Sequence, residues 1–114
     1  MITHRQFDEI QYLAEQIEAG DNFEEDVKMF VQLSRRLERD IYDQVHDAAV
    51  LRELSRLQPV GLPEKKRTFW NTVMPKSTYG MYDRYQQKEH LRDQVRAAAE
   101  VFERVHDLLH DDVV

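Results

Sequence analysis

DNFEEDVKMFVQLSRRLERDIYDQVHDAAVLRELSRLQ, residues 21–58, contains neither glycine nor proline. Its apolar residues Phe23, Val27, Phe30, Leu33, Leu37, Ile41, Val45, Ala48, Leu51 and Leu54 recur at steps of three and four. That spacing lines one face of an α-helix. Asp21 with Glu24, or Asn22 with Glu25, supplies a capping box at its start, and Glu24, Glu25 and Asp26 suit the positive helix end. Pro59 marks the stop. The stretch predicts a long helix over 22–58. Unbroken, residues 21–58 would extend about 57 Å at 1.5 Å per residue.

Two further helices follow from the same logic. Thr3 and Gln6 form a capping box, Ile2 and Phe7 a hydrophobic staple, and Phe7, Ile10, Leu13, Ala14 and Ile17 line one face. Gly20 is suited to the left-handed position that ends a helix. The reading is a helix over 4–19. Residues 81–114 again lack glycine and proline. Leu91, Val95, Ala98, Phe102, Val105 and Leu109 make a heptad seam of coiled-coil type, widened by Ala97, Val101 and Leu108. This predicts a helix over 78–112, capped by Ser77 or Thr78. Between lies an aromatic and basic connection, 59–80, with Pro59, Gly61, Pro63, Pro75 and Gly80. A short helix near 64–73 is expected within it.

The fold class is therefore all-α, a single domain with one short N-terminal helix and two long antiparallel helices. A compact chain of this length has a radius of gyration of roughly 13 Å, so an unbroken second helix requires an elongated molecule. The first helix covers less than half of the long hairpin. Ile41, Val45, Ala48, Leu51 and the stripe from Val95 to Leu109 are then left bare. An apolar stripe of that length is rare on a monomer. The expectation is a homodimer or higher oligomer that completes a four-helix bundle. A kink near 47–50 that folds the chain on itself is the alternative.

With 114 residues and 33% charged side chains, the composition fits helices with one dry and one wet face. The absence of cysteine excludes disulfides and thiolate zinc sites. Met1 to Gln6 carries no apolar core of a secretory signal. No run approaches the ~20 apolar residues of a membrane helix. A cytoplasmic protein with no membrane contact is expected. The net charge of −6 disfavours a nucleic-acid groove covering the whole surface.

Basic residues bind phosphate and aromatic rings stack on bases. Lys65, Lys66, Arg67, Trp70, Lys76, Tyr79 and Arg84 are the candidate partner- or ligand-binding residues. They suit a nucleotide, a nucleic-acid end or a protein partner. The alternative is that Phe69, Trp70, Val73 and Met74 pack the connection onto the hairpin.

Histidines stand beside aspartates at His46-Asp47, His106-Asp107 and His110-Asp111. Glu103, His106 and His110 share one helical stripe, and Asp43 and His46 repeat the i, i+3 spacing of di-iron bundles. The candidate metal ligands are His46, Asp47, His106 and His110. His4, His46-Asp47 and Asp107 fall in an order similar to the HD-type phosphohydrolases, all-α metal enzymes. That resemblance implies a metal-dependent phosphohydrolase using these four residues. Arg39 and His46 resemble the Arg-x6-His pattern of HEPN ribonucleases, small dimeric helical proteins, which implies action on RNA. Arg84 with His90 and Arg104 with His110 fit a looser form of it. The leading expectation is a non-enzymatic interaction protein, without cofactor, acting as an adaptor, regulator or inhibitor. Its size and acidity suit a bacterial or phage accessory protein.

Overall fold

The computed structural model describes residues 2–61, 76–110 and 113, with the backbone alone over 76–85. Among these residues the chain forms four helices and no strand. The expected all-α class holds. The helices are α1 (His4–Ala19), α2 (Phe23–Gln44), α3 (Ala48–Leu54) and α4 (Lys76–Leu108).

α1 matches its sequence signals closely. Thr3 Oγ1 accepts from the Gln6 N–H at 3.3 Å, and Gln6 Oε1 accepts from the Thr3 N–H at 2.9 Å. Ile2 and Phe7 are both buried, as the staple requires. Gly20 ends the helix at φ 82°, donating its N–H to the Gln16 carbonyl. Glycine is required there by the backbone, and a Cβ would also stand 2.9 Å from the movable end of Arg92, at Nη2.

α2 departs from the reading at both ends. Asn22 precedes it without a side-chain cap bond, so the expected capping box there does not form. The helix then ends at Gln44 rather than running to 58. Val45 is extended (φ −110°, ψ 130°), and Asp47 caps a separate α3 by accepting from the Ala49 and Val50 N–H groups at 2.8 and 3.4 Å. The reason is geometric. Ile41 and Val50 are nine residues apart, about 180° around a continuous helix. Both are fully buried, which one straight helix could not achieve against one partner. Asp47 supplies the local means, because a short acceptor side chain competes with the helical backbone. Ala48, expected on the seam, is exposed.

The break also corrects the expected hairpin of two long antiparallel helices. α1 runs antiparallel to α2, since Gln6 reaches Asp40 at 3.1 Å near the far end of α2. α1 is also antiparallel to α4: His4 meets His106, Gln11 donates to the Ala99 carbonyl, and Glu18 pairs with Arg96. α2 and α4 therefore run the same way. At the other end Phe23 lies under Lys88 and Arg92, ring to cation 5.7 and 5.3 Å. α3 is the antiparallel neighbour of α4, with Glu53 paired to Arg104 and the Gly61 N–H donated to Gln94 Oε1. The four described helices alternate in direction, and α2 and α4 sit diagonally.

Four helices of one chain thus enclose one core. Phe7, Phe30, Phe102, Ile10, Ile17, Leu37, Ile41, Leu54, Val50, Val95 and Val105 are its fully buried side chains. Most of the stripe expected to be bare is covered: Ile41, Val95, Ala98, Val101, Phe102, Val105 and Leu109 are all buried. The molecule is nonetheless elongated, 54 × 27 × 17 Å with a radius of gyration of 16.4 Å. α4 sets the long axis, its 33 residues spanning about 50 Å.

α4 begins at Lys76, inside the expected connection, and ends at Leu108. Pro75 precedes it in sequence, and proline is at home at a helix start. Gly80 consequently falls within the helix. Ala97 and Leu108, read as widening the seam, are exposed, and Ala99 is buried instead. The short helix expected near 64–73 lies outside the described residues.

Candidate functional site

The described surface has one cluster of chemistry-bearing side chains, at the end of the bundle where α1 begins and α4 ends. The capping box fixes the backbone direction at Thr3 and so presents His4 on the first turn of α1. The antiparallel pairing of α1 with α4 brings His106, in the last turn of α4, opposite it. His4 Nδ1 and His106 Nε2 are 2.7 Å apart. His106 also stacks flat on Phe7, with centroids 4.4 Å apart and planes 2° from parallel. The His110 ring centre lies 6.0 Å from that of His4. His106 is half-buried and His110 exposed.

At 2.7 Å two imidazole nitrogens share one proton: one ring donates and the other accepts. Both rings belong to the pair, so neither nitrogen is left over as a free base at that contact. His106 and His110 were legible as a stripe on one helix. His4 as their partner was not, because the contact spans 102 residues of sequence.

The HD-like set is not gathered around a metal. Asp47 accepts two backbone N–H bonds as the cap of α3, His46 is exposed in the break, and His4 is engaged with His106. Among the described residues no three or more His, Asp and Glu side chains are placed to hold an ion. The HEPN-like pair is divided as well: Arg39 lies on α2 and His46 beyond its end. Arg104, of the looser pattern, is committed to Glu53.

Lys65, Lys66, Arg67 and Trp70 lie outside the described residues. Lys76, Tyr79 and Arg84 lie on the first turns of α4, where the backbone alone is described.

Two surface grooves lie among the described residues. The larger, about 500 Å³, runs between α1 and α4. Ala14 and Ala99 line it along with Glu15, Glu18, Glu100 and Glu103, and Arg96 pairs with Glu18 across it. The smaller, about 250 Å³, lies between α2 and the turn after α3 and includes Ser34, Leu57 and Val60. Hydrogen bonding to Glu18 holds the Arg96 guanidinium above its ordinary value, and Glu53 does the same for Arg104. Both side chains are thus permanent cations that position helices rather than move protons. No helix of the described residues is long and apolar enough to cross a membrane. No protein-family model, curated protein or solved structure matches this chain.

Proposed function

We propose that this protein is a non-enzymatic helical binding protein that works through its outer surface on another macromolecule. The observation that carries this reading is the character of the interior. Among the described residues only one polar side chain is buried, Ser34, and its hydroxyl donates to the Val31 carbonyl of its own helix. The core is otherwise apolar, so the described charged groups lie at the surface or its margin. Binding there needs no internal cavity. Tyr12, Met29, Tyr42 and Leu108 add large apolar side chains to that exterior, and tyrosine is a frequent anchor of protein interfaces.

The case for a second copy rested on a bare seam. With most of that seam covered inside one chain, the reading turns to a different macromolecule. The test is native mass spectrometry of the protein as isolated from its host, followed by cross-linking. Support would be a co-purified protein whose cross-links map to the outer faces of α1 and α2. Mass matching a nucleotide or nucleic acid would move the assignment to the basic and aromatic residues between Lys65 and Arg84. Mass matching metal ions would return it to the histidines.

A further inference from the structure

Most described arginines are committed within the chain. Arg5 pairs with Glu9, Arg56 with Glu53, Arg92 with Glu89, Arg96 with Glu18 and Asp93, and Arg104 with Glu53. Arg35, Arg36 and Arg39 differ. All three are exposed, and among the described residues none of them has a hydrogen-bond or ion-pair partner. Arg52, on α3, is the other arginine in that condition. At about 100° per residue, the three share one arc of α2 on the side opposite buried Phe30 and Leu37. Lys28, two turns earlier, continues the arc and reaches Glu25 at 4.0 Å. Between Lys28 and Arg39 the arc holds no acid, since Glu38 is turned aside to the smaller groove. Like charges three and four residues apart destabilise a helix. The trio therefore weakens α2, and no described contact offsets the loss.

The opposite charge gathers elsewhere on the same molecule. The groove between α1 and α4 is lined by four carboxylates, Glu15, Glu18, Glu100 and Glu103, against one guanidinium, Arg96. Arg96 answers Glu18, whereas Glu15, Glu100 and Glu103 have no hydrogen-bond or ion-pair partner among the described residues. Ala14 and Ala99 form its floor, and such short side chains leave room for arginine stems. The lengths agree. The groove follows α1 from Gln11 to Glu18, about 10 Å, and Arg35 to Arg39 spans about 6 Å. α2 lies diagonal to α4, so its outward arc points away from this groove and one copy cannot bring the two together. We infer that the arginine arc of α2 docks into the acidic α1–α4 groove of a second copy of this chain.

This contact goes beyond the function proposed above, and the apolar seam plays no part in it. It joins unlike faces, so each docked copy still presents a free arc or a free groove. Heterologous contacts of this kind extend head to tail or close into a ring. The net charge of −6 sets whole molecules against one another. At 0.1 M salt, however, fields reach only about 10 Å, and the complementary groups in contact decide. Exposed ion pairs each contribute little, so the contact is weak and fills only at high protein concentration.

Sedimentation velocity of the purified full chain, at high micromolar concentration, tests this without any other partner. Salt is raised from about 0.1 M to about 1 M, which shortens the screening length from about 10 Å to about 3 Å. The parent should associate at the lower salt and return to single copies at the higher. Two double variants separate the faces: Arg35→Glu with Arg39→Glu on the arc, and Glu15→Lys with Glu100→Lys in the groove. All four positions are exposed, where substitutions change folding stability little. Each variant alone should associate at least about tenfold more weakly, because like charges then face each other. Mixed in equal amounts they should form pairs and nothing longer, the intact groove of one taking the intact arc of the other. A parent that stays single at the lower salt would overturn the inference, as would association that survives the higher salt. So would variants that associate as the parent does, or a mixture that stays single. The salt series on the unmodified chain decides the matter if a variant does not fold.

Discussion

Replacing Asp47 with alanine removes the two hydrogen bonds that start α3, and the cost can be worked out from its surroundings. The Ala49 and Val50 N–H groups lose their shared acceptor, Asp47 Oδ1. Loss of an N-cap acceptor costs about 1 kcal/mol, within a range of about 0.5–2. The upper half is favoured here for two reasons. α3 has only 7 residues, well short of the ~12–15 at which isolated helices become marginal, and it carries the buried Val50 and Leu54. Fusion of α2 and α3 offers no relief, because it would turn Val50 away from the side that buries Ile41. The expected result is a loss of about 1–2 kcal/mol, read by urea unfolding as a lower midpoint with unchanged slope. Asp47→Asn should recover most of it, since asparagine caps as well as aspartate. An unchanged midpoint in Asp47→Ala would refute the capping argument. Asp47→Asn as damaging as Asp47→Ala would show that the charge matters, and would revive a metal-ligand role for this residue.

Three more outcomes are expected from the same structure. Gly20→Ala should lose at least about 1–2 kcal/mol from the left-handed backbone alone, with Arg92 displaced in addition. Gly61→Ala, where the added carbon meets nothing within 4 Å, should be neutral or gain up to about 1 kcal/mol. Chemical denaturation of the two side by side checks the contrast. Leu108→Asp should change stability by no more than about 0.5 kcal/mol, whereas Val101→Asp should abolish cooperative thermal unfolding, because Leu108 is exposed and Val101 buried. Arg104→Gln should lower the urea midpoint only slightly at low salt, because an exposed ion pair contributes little. Raising the salt should shrink that difference, since Arg104 is half exposed, and denaturation at two ionic strengths measures it.

α1 was legible in the sequence almost residue by residue, because its determinants are local: Thr3 and Gln6 are three apart, and Gly20 alone meets the terminal backbone requirement. The inner face of α4 was legible through period, from Val95 to Leu109. The break at 45–47 falls just ahead of 47–50, where the sequence offers a kink only as the alternative to a continuous helix. Steps of three and four continue through it, and the pattern that matters, Val50 on Ile41's side of the core, appears only once both have a common partner. Asp47 carried the available signal, an N-cap residue ahead of Ala48 and Ala49, but its neighbour His46 drew the reading toward metal chemistry. The same break explains the reversed topology: a helix read as continuous leaves α4 to lie against α2, whereas a chain that turns at 45 sets α3 against it. His4 beside His106 depends on that topology, and no spacing within a single helix reports it.

The alternating order of the helices has a consequence for synthesis. α1 and α2 can pair as soon as both have emerged, being joined by only a few residues. The seam of α4 that seals their inner faces arrives last, ending at Leu109. Between Ile41 and Leu109 lies a stretch of chain that takes roughly 3–14 s to make at about 5–20 residues per second. During that interval the apolar side chains of α1 that meet α4, Phe7 among them, have no partner. The nascent α1–α2 hairpin is then sticky and open to chaperones or to a neighbouring chain, and chains cut short before Val95 should aggregate rather than accumulate as a stable fragment.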